Sequence, residues 1–170
     1  MDRKPIIYQL FPRLFTNTNT ACIPNGTLAQ NGVGKMNQIT DTVLQGIKQL
    51  GVTHIWYTGL IEHATKTDYT AEGIVPADNP YVVKGEAGSP YAIKDYYDID
   101  PDLAESVPDR MAEFESLVAR THDNGMEVVI DFVPNHTARR YHSDVAPAGI
   151  EDFGAHDDSN MFFSPDNNYY

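Results

Sequence analysis

The sequence predicts an α/β fold built on a parallel sheet, and three observations predict it. Short apolar runs rich in β-branched and aromatic residues recur at 6–11, 52–57 and 126–133. Segments of helical spacing precede the second and third runs. A single glycine, Gly51 or Gly125, joins each such segment to the strand after it. Near-continuous apolar strands separated by helices imply a parallel sheet covered on both faces.

Taken in order, Ile6, Ile7, Tyr8, Leu10 and Phe11 make the first strand, and Pro12 ends it. Residues 16–35 are rich in Asn, Thr and Gly and read as loop. Ile39, Val43, Ile47 and Leu50 then recur at helical spacing with Leu44 beside them. Thr40 or Asp41 suits the cap and Gly51 the stop. The second strand follows at 52–57. Residues 59–106 carry Gly, Pro, Asp and Tyr with little periodicity, and an unstructured connection of that length is often functional. Ser106, Pro108 and Asp109 open the next helix. Met111, Phe114, Leu117 and Val118 mark its buried face and Gly125 stops it before the third strand. After Pro134 the pattern dissolves into a polar, loop-rich tail that runs to Tyr170. Right-handed crossovers leave a doubly wound sheet or a (β/α)8 barrel open.

At 170 residues the chain is long enough for one domain with a sizeable core. A net charge of −12 repels phosphate backbones and anionic lipid, which speaks against nucleic acid and membrane as partners. The single cysteine, Cys22, has no partner for an intrachain disulfide and leaves the compartment open. No apolar signal region or membrane span of the required length is visible, so the chain reads as soluble, with the cytoplasm slightly favoured.

In parallel α/β architectures chemistry gathers at the C-terminal ends of the strands. Asp131 sits near the end of the third strand, and Asn135 and His136 follow it. A carboxylate, an amide and an imidazole so placed suit a binding rim; a turn-capping aspartate and an ordinary loop histidine are the competing reading. Residues 89–101 hold three tyrosines and three aspartates. Aromatic faces stack on sugar C–H surfaces and aspartates accept sugar hydroxyls, so this mixture suits a neutral polyol, against the alternative of a loop packed on its own barrel. His136, His142, His156, Asp157 and Asp158 lack the paired spacing of zinc motifs. Oxygen ligands for calcium abound after the third strand. Gly32-Val33-Gly34-Lys35 lacks the strand-to-helix setting of a phosphate-cradling loop.

These segments together resemble the α-amylase family of glycoside hydrolases over nearly the whole chain. Residues 7–15 resemble its first barrel strand and 51–56 its second. Tyr91 through Pro101 resembles its tyrosine-containing loop, and Asp131-Phe132-Val133-Pro134-Asn135-His136 its Asp-x-Val-x-Asn-His signature. The resemblance implies a partial (β/α)8 TIM barrel, its first three strands within 1–136, with the start of an inserted domain over 137–170. It implies substrate-binding roles for His136, hydrogen-bonded to the sugar in the cleavage subsite, for Tyr91, stacked under that ring, and for Asp131, ordering the floor through an arginine further along. Asn135 stands where many members ligate a structural calcium ion, Ca2+. Ala92, after Tyr91, occupies a position where many exo-acting members carry Asp, which leans toward a cleft open to longer α-glucans. The family works by retention, with a nucleophilic carboxylate and a protonated one. Those groups lie in motifs these residues do not contain, so no catalytic residue is assigned, and the nucleophile and general acid are expected after Tyr170. The 170 residues alone are expected to be inactive without the remainder of their own chain. The implied function is an α-glucan-acting hydrolase on starch or maltooligosaccharides. A transglycosylase of the same family, a non-catalytic maltooligosaccharide-binding protein and a doubly wound metal hydrolase using Asp131 and His136 are the alternatives.

Overall fold

Three parallel strands form the centre of the computed structural model, which describes residues 4–158 and 160–169. Tyr170, after which the nucleophile and general acid are expected, lies outside the described residues. Strand β1 (Ile7–Leu10) runs into a one-turn helix α1 (Pro12–Phe15). Pro12 opens that turn because it has no N–H to leave unsatisfied there. A second single turn, α2 (Leu28–Asn31), lies in the Asn- and Thr-rich loop. Helix α3 (Asp41–Lys48) is capped by Thr40, whose hydroxyl accepts from the Val43 N–H. Gly51 turns the chain with φ +84° into β2 (His54–Tyr57). Next come β3 (Ile61–His63), β4 (Ile93–Ile99), α4 (Arg110–Asp123) and β5 (Glu127–Ile130).

The sheet order is β1-β2-β5. Ile7 stands opposite His54 and Leu10 opposite Tyr57, and β5 continues the register with Glu127 opposite His54 and Ile130 opposite Tyr57. Leu10, Met36, Leu44, Ile55, Tyr57 and Leu117 are fully buried between this sheet and the two helices. Burying each such side chain contributes roughly 1.5–3 kcal/mol. The Tyr57 hydroxyl lies 2.7 Å from Thr121 Oγ1, which itself donates to the Leu117 carbonyl at 2.8 Å. Tyr57 is therefore the donor to Thr121, and the buried hydroxyl is satisfied.

The structure corrects four sequence expectations. The connection over 59–106 contains a two-stranded antiparallel sheet, β3 against β4. Leu50 is exposed, because α3 ends at Lys48 and Leu50 sits on the turn beyond it. On α4 the buried face is Arg110, Glu113, Leu117 and Thr121, while Met111 is exposed. Polar side chains win that face because each is satisfied: the Glu113 carboxylate accepts the Glu105 and Ser106 N–H groups, and Arg110 pairs with Asp98. Finally, the sheet is not covered throughout. Ile7, Val129 and Ile130 are exposed on β1 and β5, which are its edges among the described residues. Among those residues no helix is long and apolar enough to cross a membrane.

Candidate functional site

The C-terminal ends of β1, β2 and β5 form one rim. Phe11 follows β1, Thr58 and Gly59 follow β2, and Asp131 follows β5. Gln9 Nε2 donates to Thr58 Oγ1 at 2.8 Å, tying the first two ends together. Trp56 Nε1 donates to Asp131 Oδ1, tying the second to the third. The other carboxylate oxygen of Asp131 is buried without a hydrogen-bond partner among the described residues. A half-satisfied carboxylate at a rim is a place where a further donor is accommodated.

Gly59 sets the wall above this rim. Its φ is +72°, and a Cβ there would lie 2.9 Å from both Phe11 Cε2 and Pro90 Cβ. The bare backbone lets Pro90, and with it Tyr91, close over the ends of β1 and β2. Tyr91 is 47% exposed. The loop after β5 is sewn to the same place. The Ala138 N–H donates to the Ile93 carbonyl at 2.7 Å and the His142 N–H to the Lys94 carbonyl at 3.0 Å. The Tyr96 hydroxyl donates to the carbonyls of Val133 and His136. Tyr91 and His136 therefore stand two residues from either end of one backbone hydrogen bond, and both are exposed.

Asn135 is exposed, and its Nδ2 lies 3.5 Å from His136 Nδ1. Its amide oxygen is chemically suited to calcium, but such an ion takes 6–8 oxygens. Among the described residues the one group of three carboxylates within ligating distance of one another is Glu62, Asp95 and Asp98, which does not include it.

Beneath the rim lie two buried ionic groups that sequence reasoning did not anticipate. In the first, Arg13 pairs with Asp102, whose other oxygen accepts from the Tyr69 hydroxyl at 2.6 Å. His63 Nδ1 lies 2.6 Å from Asp100 Oδ2, and its Nε2 lies 3.1 Å from the Ala87 carbonyl. Both ring nitrogens face acceptors, so the imidazolium form fits this position. Burial opposes that charge, but Asp100 outweighs it and raises the His63 pKa. Burial likewise opposes charge on Asp100, yet His63 and Arg13 hold its carboxyl below the ordinary range. In the second group, Arg110 grips Asp98 with Nε 2.9 Å from both carboxylate oxygens. Lys94 Nζ lies 3.7 Å from Glu62 and 3.8 Å from Asp78. Burial pushes the Glu62 carboxyl up to about 8; Lys94 pulls it partly back, while Asp98 and Asp95 add to the rise.

The fold has counterparts among known proteins. The family model described as "Alpha amylase, catalytic domain" matches residues 9–160. The chain belongs to the α-amylase family. It is 30% identical over 139 residues to trehalose-6-phosphate hydrolase of Bacillus subtilis, covering 82% of this chain and 18% of that protein. It is 27% identical over 135 residues to the human amino acid transporter heavy chain SLC3A1, covering 79% of this chain and 14% of that one. Its structure superposes on an α-amylase from Lactobacillus plantarum with a TM-score of 0.54 at 30% identity, over 81% of this chain and 24% of that one. The chain thus spans 14–18% of the length of those two curated relatives. In α-amylase family terms the β1-β2-β5 sheet is consistent with part of a (β/α)8 barrel. The residues that the sequence did not reveal are Trp56, Gly59 and Tyr96, which position the rim. Only Gly59, following a strand end, carried a local signal.

Proposed function

We propose that this chain supplies the sugar-holding rim of a retaining glycoside hydrolase acting on α-glucans. The observation that carries the proposal is the stitching of the Tyr91 segment to the His136 segment above the strand ends. Tyr91 stacks under the glucose ring at the cleavage point and His136 donates to a sugar hydroxyl. Asp131, held by Trp56, keeps a free oxygen for an arginine from another part of the protein. Asn135 contributes one oxygen to a calcium ion completed by ligands elsewhere. Residues 1–136 belong to the barrel, and 137–170 begin a domain inserted after its third strand. Ala92 beside Tyr91 leaves the cleft open to longer chains.

The nucleophile and acid come after Tyr170 on this reading, outside the described residues. A retaining pair faces a cleft with its carboxyl groups about 5–5.5 Å apart. Glu62, Asp95 and Asp98 are close together but only 2%, 1% and 3% exposed, and Asp98 is consumed by Arg110. They are structural, and the 170 residues alone are inactive on this account. In the intact enzyme, His136→Ala removes a hydrogen bond to the sugar that matters most in the transition state. The kcat/KM on maltooligosaccharides is expected to fall on the order of tenfold to a hundredfold, with Tm unchanged. An unaltered kcat/KM would remove His136 from the site.

A non-catalytic reading starts from one observation, that a relative bears the name of an amino acid transporter heavy chain and not of a hydrolase. On that reading the intact protein binds maltooligosaccharide at the same rim without turnover, and a starch hydrolysis assay on the intact protein separates the two.

A further inference from the structure

Beside the proposed sugar rim lies a cavity of about 390 Å³ whose wall carries Lys84, Arg139 and Arg140. It opens between the same two segments, since Ser89 and Ala92 flank Tyr91 and Ala138 follows His136 by two residues. The floor is apolar, formed by Val83 and Ala138 with their alanine neighbours. Its volume leaves ample room for a phosphoryl group and the water around it.

The charges on this wall are unbalanced. Elsewhere in the fold Arg13, Lys66, Lys94 and Arg110 each have a carboxylate partner, and Lys35, Lys48 and Arg120 donate to backbone carbonyls. Lys84, Arg139 and Arg140 have none among the described residues, in a chain of net charge −12 with acids to spare. Asp78 borders the cavity, but its Oδ2 accepts the Thr65 N–H at 3.1 Å and faces the buried Lys94. On the other side of Arg139 and Arg140, a second hollow holds Asp157 and Asp158. Asp157 accepts the N–H groups of Asn168 and Tyr169, and Asp158 that of Asn160, so both are turned to backbone. Lys84, Arg139 and Arg140 border this hollow without a carboxylate partner, and such a set suits a dianion. Two guanidinium forks and an ammonium match a phosphate monoester better than a single carboxylate.

We infer that this cavity binds a phosphoryl group, so that the ligand of the adjoining rim is an α-glucoside or α-glucan carrying a phosphate monoester. The inference rests on the proposed sugar site and narrows its substrate class. Sugar stacking at Tyr91 fixes the ring, and the phosphoryl group reaches past Ala92 to the three cations. Ser89 Oγ and the Asn79 amide are available to the remaining phosphate oxygens.

Isothermal titration calorimetry on the intact protein with glucose, glucose 6-phosphate and glucuronate tests it. Glucose 6-phosphate is expected to bind about tenfold or more tightly than glucose at low salt, and the advantage shrinks as salt screens the exposed cations. The double substitution Lys84→Gln, Arg140→Gln lies on exposed positions and is expected to abolish the advantage while leaving glucose affinity as it was. Equal affinity for glucose and glucose 6-phosphate overturns the inference, as does a preference that survives the double substitution or high salt. Glucuronate binding as tightly as glucose 6-phosphate overturns the phosphoryl assignment. Hydrolysis assays with 4-nitrophenyl α-glucoside and its 6-phosphate separate the two readings. Neither being cleaved while the binding preference holds sinks the hydrolase reading and upholds the phosphoryl site.

Discussion

Glu62 is buried at 2% exposure beside two other carboxylates, with Lys94 and Arg110 as the cations in reach among the described residues. With Asp78 also beside Lys94, four acids face two bases in a dry interior, and a proton on Glu62 lowers the excess charge. Its folded pKa of about 8 stands above the ordinary carboxyl value, so the native state binds more protons than the unfolded chain between those limits. Stability therefore falls as pH rises through that window, by on the order of a few kcal/mol at most, and the cost is complete above the folded pKa. His63, whose pKa is also raised, works with the same sign. Glu62→Gln keeps the shape without the titration. Its Tm is expected to fall less than that of the unsubstituted protein between pH 5 and pH 9, and parallel curves would show that Glu62 carries no such proton. At this scale the sequence was legible where a motif is local. Asp131, Asn135 and His136 lie within six residues, at and just after the end of β5. It was not legible where partners are distant: Trp56 meets Asp131 across 75 residues, and nothing near either position marks the pair.

The elements were legible in proportion to their periodicity. β1, β2, α3 and β5 have apolar runs or helical spacing bounded by Pro or Gly, and they lie where those signals put them. The β3–β4 pair went unread for two physical reasons. β3 has three residues, all buried, and β4 buries Ile93, Lys94 and Asp95 in succession, so neither alternates. The register also slips twice, at Ile61/Glu62 and Glu62/His63, which breaks any pairing pattern. Buried Lys94 and Asp95 read as loop in a sequence because charged residues are seldom buried without partners. The joint between β2 and this hairpin depends on Gly59. Gly59→Ala places a methyl group 2.9 Å from Phe11 and Pro90 in a left-handed backbone. The expected loss is about 1–3 kcal/mol of stability, together with weaker sugar binding as Tyr91 is pushed from the rim. Urea unfolding with a parallel maltose titration measures both. A variant as stable as the parent would mean that Phe11 and Pro90 yield without cost and that Gly59 does not set the wall.

Across the whole molecule the pattern is a well-packed inner side and unfinished borders. The core between the sheet and the helices α3 and α4 is continuous, while β1 and β5 expose Ile7, Val129 and Ile130 along the sheet edges. The expectation of a sheet buried on both faces came from the apolar character of those strands. It failed because burial depends on neighbours that no stretch of strand sequence encodes. The central claim is that Tyr91 and His136 hold one glucose ring between them. A crystal structure of the intact protein soaked with maltotriose tests it most directly. The account predicts a ring stacked on Tyr91 with a hydroxyl within hydrogen-bonding distance of His136; maltotriose bound elsewhere, with both side chains facing solvent, would contradict it.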